Sequence, residues 1–256
     1  MPSGRDIKGE NMFRLFMMIL RNLWIIPGAY WKLHRYAKHP NDYSEENRYR
    51  HIQYIFQRAI LRGNVELKVY GLENIPKENG FMLYSNHQGK FDLLPIVATC
   101  NNPIGAILKQ ELYRIPFIKL LVDCTFSFMI DRKDTRQSMK AIRSVIEEIK
   151  KGRSYLVFPE GELSKSNQLM DFHSGCFRCA IKTRCPVVPI ALIDSFKPFD
   201  QKGYKKTQVQ ICYLPPIYYE EYNGLNSGGL AALVKARIQQ AIDTGLSAED
   251  NKDDVG

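Results

Sequence analysis

Seven short β-rich runs alternating with helical stretches across 65–214 constrain this chain more than any other feature. The runs are 65–70, 81–85, 105–109, 126–130, 154–158, 187–193 and 209–214. They are dense in Val, Ile, Leu, Tyr and Phe. Between two of them, 135–151 places Met139, Ile142, Ile146 and Ile149 on one helical stripe, with Asp134 set to cap its start and Gly152 its end. A last helix is expected over 228–244, carrying Leu230, Leu233, Val234, Ile238 and Ile242. Parallel neighbours need a crossover between them, so this alternation predicts an α/β domain with a largely parallel central sheet flanked by helices.

The first 63 residues follow another pattern. In 11–26 (NMFRLFMMILRNLWII) the longest unbroken apolar run is 15–20, short of the roughly 20 residues a membrane span needs. Asn11, Arg14, Arg21 and Asn22 fall in one sector roughly 100° wide on a helical wheel. That predicts a helix lying in the membrane interface, its broad face among acyl chains and its arginines at the headgroups. Trp24, Tyr30 and Trp31 suit the same layer, and Pro27-Gly28 marks a kink or an end. Asp42 with Glu45 resembles a capping box for a second helix, which Gly63 stops. Ile52, Ile55, Phe56, Ala59 and Ile60 line one side of it. The alternative is that both helices simply pack on the main domain. The organisation expected is thus interfacial helices over 1–63, an α/β domain over 64–246, and a disordered acidic tail over 247–256.

With 36 Lys and Arg against 27 Asp and Glu, the chain carries a net charge of +9. Such a surface attracts nucleic acid, anionic headgroups or an acidic carrier protein. The basic residues form no single run and match no nucleic-acid-binding pattern, so nucleic acid is not an expected partner. Cys176, Cys179 and Cys185 lie near His173, but a second spaced ligand pair is missing and no metal is expected. Cys176 and Cys179 read as buried small apolar residues on a helix over 176–181.

The segment 81–92, FMLYSNHQGKFD, carries the candidate chemistry. A strand runs out near Ser85 and a polar turn precedes a helix start at Asp92, the kind of junction where α/β domains place active sites. In regular helix His87 and Asp92 would not face each other, so Gly89 is expected to permit the turn that pairs them. An imidazole held by a carboxylate on one nitrogen can take a proton from a hydroxyl on the other. Ser85 is the one hydroxyl close by, and nothing around it resembles a nucleophile turn. Direct attack by a substrate hydroxyl is therefore favoured over a covalent acyl-enzyme.

In order, NHQGKFD at 86–92, LKQELYRIPF at 108–117, FMIDR at 128–132, VFPEG at 157–161 and VVPI at 187–190 resemble the glycerolipid acyltransferase family, the group containing the 1-acylglycerol-3-phosphate acyltransferases. The resemblance implies His87 as general base and Asp92 as its orienting partner. It implies substrate-binding roles for Arg132, Lys109 and Glu111, and places Glu160 and Gly161 beside the acceptor. It implies an α/β sheet domain preceded by membrane-associating helices. It further implies transfer of a fatty acyl group from acyl carrier protein or CoA thioester to the free hydroxyl of lysophosphatidic acid, without metal or bound cofactor. The expected setting is peripheral or monotopic, on the cytoplasmic face of a membrane of phospholipid and lysophospholipid. In two respects the chain departs from the family, the smaller being His173 in DFHSG at 171–175, where Lys is often found. Glu162 and Leu163 occupy positions where Thr and a phosphate-holding Arg are usual, leaving Lys165 as the next cation. The alternatives are therefore another lysophospholipid or non-phosphate acceptor, or a lipid-binding protein without catalysis.

Overall fold

The computed structural model describes residues 12–131 and 134–245. Three helices open it: α1 (Met12–Arg21), α2 (Ile26–Lys38) and α3 (Glu45–Arg62). There follow β1 (Val65–Tyr70), β2 (Met82–Ser85), α4 (Leu93–Thr99), β3 (Ile104–Lys109), α5 (Pro116–Thr125), β4 (Phe128–Ile130), α6 (Thr135–Lys150) and β5 (Ser154–Val157). The remainder comprises α7 (Arg178–Thr183), β6 (Val187–Ile193), α8 (Lys197–Asp200), β7 (Thr207–Tyr213), α9 (Tyr219–Tyr222) and α10 (Ser227–Asp243). The acidic tail expected over 247–256 lies outside the described residues.

The strands form one sheet in the order β1-β7-β6-β2-β5-β3-β4. Every pairing is parallel except that of β6 with β7. The α/β class read from the alternation is the fold observed. Because β2, β5, β3, β4 and β6 run the same way, their carboxyl ends share one edge of the sheet, and the loops that follow them meet there.

Helices cover both faces, and period-2 alternation divides the strand residues between two cores. Leu83, Leu156, Val188, Ile190 and Ile211 pack with Ile52, Phe56, Ile96 and Leu120 on one side. Met82, Tyr84, Tyr155 and Val187 pack with Val145, Ile149, Val234 and Ile238 on the other. All four residues of β2 are buried, as expected of a central strand covered on both faces. Asp134 caps α6 by accepting from the amides of Arg136 and Gln137, as its position predicted.

The N-terminal segment differs from expectation in four ways. Helix 11–26 is broken: a turn at 22–25 separates α1 from α2, and Pro27 stands in the first turn of α2, where its missing N–H costs nothing. Ser44, not Asp42, caps α3, accepting from the Asn47 amide at 3.2 Å, while Asp42 sits in a separate 3-10 turn. Helix α3 belongs to the sheet core, because Tyr49, Ile52, Phe56 and Ile60 share one cluster with the strands. Finally, Arg14 and Asn22 turn inward while Arg21 stays exposed, and Asn11 lies outside the described residues. Arg14 is buried and donates to the Gly63 carbonyl at 2.7 Å, the Thr207 hydroxyl at 2.8 Å and the Lys205 carbonyl at 2.9 Å.

The cause is electrostatic. The end of α3 leaves carbonyls without helical partners and a partial negative charge, which a guanidinium satisfies. With Arg14 and Asn22 against the domain, Phe13, Leu15, Phe16, Ile19, Leu20 and Leu23 face outward. Trp24 is 98% exposed, and Ile26, Tyr30 and Trp31 continue the ribbon along α2. Among the described residues, no helix is long and apolar enough to cross a membrane.

Candidate active site

The loop after β2 builds the centre of the site. Asp92 stands just before α4 but does not cap it; its carboxylate turns back over the preceding residues. One oxygen, Oδ2, meets His87 Nδ1 at 2.8 Å, the Gln88 amide at 2.6 Å and the Gly89 amide at 3.0 Å. Such convergence pins the loop to a fully buried carboxylate. A carboxylate can only accept here, which assigns the imidazole proton to Nδ1 and leaves the Nε2 lone pair available. The His87 side chain is 22% exposed, so the ring is held from within and open from without.

Gly89 allows this loop for a reason other than the expected one. Its backbone is not left-handed; instead, a β-carbon there would lie 2.8 Å from the Phe196 Cα. Gly89→Ala must displace the start of α8 or the His87 loop. The expected cost is about 1–3 kcal/mol, the range for overpacking, read as a lowered thermal midpoint together with reduced activity.

The segment after β5 closes over the same loop. Glu160 is 2% exposed, and its two oxygens accept from the His87 amide at 2.9 Å and the Met170 amide at 3.0 Å. Burial pushes its carboxyl above the ordinary range, against the opposing effect of those two amides. Gly161 follows with φ of 77°, a left-handed conformation suited to glycine. The Ser164 amide then donates to the His87 carbonyl at 2.9 Å, and the Lys165 amide to the Gln88 carbonyl at 3.0 Å. Phe158 stacks on the imidazole, with ring centroids 4.2 Å apart.

A buried polar network, which the sequence offered no signal to find, ties these loops to the end of β6. Gln88 donates to Asn167 Oδ1 and the Leu192 carbonyl and accepts from the Ser195 amide. Asn167 in turn bonds the side chain and amide of Asp194. Polar residues in a loop look alike in sequence whether they face water or one another.

Of the residues singled out, the fold brings together His87, Asp92, Glu160, Gly161 and the backbone of Lys165, whose side chain is exposed. Lys109 ends β3, two strands from β2 and so about 10 Å away along the sheet. It pairs with Glu111 at 3.2 Å, both half exposed on the same carboxyl edge. Arg132 lies outside the described residues. Ser85 is fully buried, with its hydroxyl donating to the Asn86 carbonyl, so it is not presented to a substrate. Among the described residues, no group of three His, Cys, Asp or Glu side chains is arranged to hold a metal ion.

A family model described as Acyltransferase matches residues 66–193, half of the chain, from β1 to the end of β6. The chain belongs to the acyltransferase family. The matched region contains every candidate site residue named above. A probable 1-acyl-sn-glycerol-3-phosphate acyltransferase of Mycoplasma pneumoniae is 27% identical over 224 residues, covering 80% of this chain and 82% of that protein. The 1-acyl-sn-glycerol-3-phosphate acyltransferase of Salmonella typhimurium is 29% identical over 159 residues, 62% of this chain and 65% of that one. Among solved structures, the 1-acyl-sn-glycerophosphate acyltransferase PlsC of Thermotoga maritima superposes with a TM-score of 0.69 at 19% identity, covering 91% of this chain and 97% of its own. That likeness establishes a shared fold. With these relatives the chain is placed as an O-acyltransferase of the glycerolipid group.

Proposed function

We propose that this acyltransferase moves a fatty acyl group from a thioester, acyl-CoA or acyl carrier protein, to the free hydroxyl of 1-acyl-glycerol-3-phosphate, forming phosphatidic acid. The observation that carries the reading is the His87–Asp92 pair, bonded at 2.8 Å through Nδ1, with the Ser85 hydroxyl turned to the Asn86 carbonyl. In the step proposed, His87 Nε2 takes the acceptor's proton as its oxygen bonds to the thioester carbonyl carbon. The tetrahedral adduct then collapses, the C–S bond breaks, and Nε2 returns the proton to the departing thiol. Asp92 stabilises the imidazolium between these events. Neither metal nor organic cofactor enters this step.

Lys109 and Lys165 are the cations proposed to receive the acceptor phosphate, with Arg132. The exposed ribbon of α1 and α2 supports placement of the enzyme on a membrane surface, which would bring lysophospholipid to the carboxyl edge of the sheet. Leu112, Ile115 and Phe117, which follow β3 at that edge, are further exposed apolar side chains. The cytoplasmic face is the setting proposed, since both thioester donors are found there.

A second reading keeps the chemistry and changes the acceptor, and Glu162-Leu163 beside the site favours it. Acyl transfer from labelled acyl-CoA or acyl carrier protein to a panel of lysolipids tests both. Preference for lysophosphatidic acid supports the first. Transfer confined to another acceptor reassigns the substrate, and transfer to none returns the chain to lipid binding alone.

A further inference from the structure

The segment after β5 encloses His87 on three sides. Glu160 holds its amide and Ser164 its carbonyl, while Phe158 lies on its ring with centroids 4.2 Å and planes 20° apart. Asp92 binds Nδ1. One hydrogen bond fixes a point on the imidazole but leaves the ring free to pivot about that bond. A second ring stacked on its face removes the pivot.

We infer that Phe158 is a positioning residue for His87: it sets the imidazole plane so that Nε2 addresses the acceptor hydroxyl, and its π face stabilises the imidazolium formed during transfer. The inference rests on His87 being the base of the proposed reaction. An aromatic face attracts a cation held within about 6 Å of its centroid, and the observed separation lies well inside that limit. The acidic groups facing His87 are Asp92 at Nδ1 and Glu160 at the backbone amide. Charge created on the ring is therefore met in plane by Asp92 and above by Phe158. Phe158 is only partly buried, at the margin of the core, where it completes the wall of the site more than it fills the interior.

The test uses the full chain, with Phe158→Leu to keep an apolar side chain and Phe158→Tyr to restore an aromatic face. Phe158→Leu is expected to lower kcat about tenfold and leave KM for both substrates within about twofold. The acid limb of its kcat profile should move to lower pH, because the imidazolium loses a partner. In NMR spectra the His87 ring proton, assigned by its absence from His87→Ala, should lose its ring-current shift. Phe158→Tyr should recover all three. Unchanged kcat, or a lowered kcat with the acid limb in place and no recovery in Phe158→Tyr, would reduce Phe158 to core filling. A raised KM with unchanged kcat would make it a substrate contact. A wild-type enzyme that transfers to no acceptor removes the function and this inference together, whereas an active wild type with an equally active Phe158→Leu removes the inference alone.

Discussion

Replacement of His87 by Ala is expected to lower kcat for acyl transfer by a hundredfold or more while the protein melts within a few degrees of wild type. The rate loss follows from removing the group that takes the acceptor proton. Retention of the fold follows from how the loop is held. Asp92 Oδ2 keeps its bonds to the Gln88 and Gly89 amides, and the alanine at 87 still offers its amide to Glu160 and its carbonyl to Ser164. Asp92→Ala is a poorer probe, because it strands two buried amides as well as the imidazole. Steady-state kinetics with a melting curve on the same preparation checks the prediction. Turnover near wild type would remove His87 from the mechanism.

The second large effect concerns the apolar ribbon. Exchanging Phe16, Leu20 and Trp24 together for Glu should weaken binding to phospholipid vesicles by at least a hundredfold and leave the melting temperature nearly unchanged. The three side chains are exposed, so charge at these positions disturbs no core contact. Each would otherwise contribute about 1.5–3 kcal/mol if fully buried in the acyl layer, and a factor of one hundred corresponds to about 2.7 kcal/mol. Sedimentation with phosphatidylethanolamine–phosphatidylglycerol vesicles gives the partition, and turnover of a lipid acceptor in vesicles should fall with it. Activity toward an acceptor below its micellar concentration should persist. Equal sedimentation of variant and wild type would mean that the ribbon does not seat the enzyme on lipid.

The turned helix shows where local reading stops. Position along the chain places Arg14, Arg21 and Asn22 in one helical sector; in the structure Arg14 and Arg21 lie on α1, and Asn22 begins the turn after it. Arg14 points into the protein because the carbonyl end of α3 and the strand residue Thr207 supply the acceptors that it requires. Both partners are distant in sequence, at separations of 49 and 193 residues. Arg21 stays at the rim, donating to the Tyr204 hydroxyl, so only part of the cationic sector is left toward solvent.

Gly89 makes the same point within the site. A glycine between His87 and Asp92 was legible as a place where the chain must do something unusual. That the constraint is the approach of Phe196, more than a hundred residues on, was not. Glu160 likewise stood out in its motif, yet its oxygens are occupied by the amides of Met170 and His87, and the His87 contact depends on β2 and β5 being neighbours in the sheet.

The sequence by itself determined the α/β class, the run of strands and helices, the cap of α6 and the His87–Asp92 segment, because periodicity, capping and motif spacing are properties of short stretches of chain. Only the tertiary structure decided the strand order, the antiparallel β6–β7 pair, the inward turn of α1 and the seating of His87 among Asp92, Phe158 and Glu160. Those depend on which distant backbone groups come within a few ångströms of one another, and hydrogen bonds and ring contacts act only at that range.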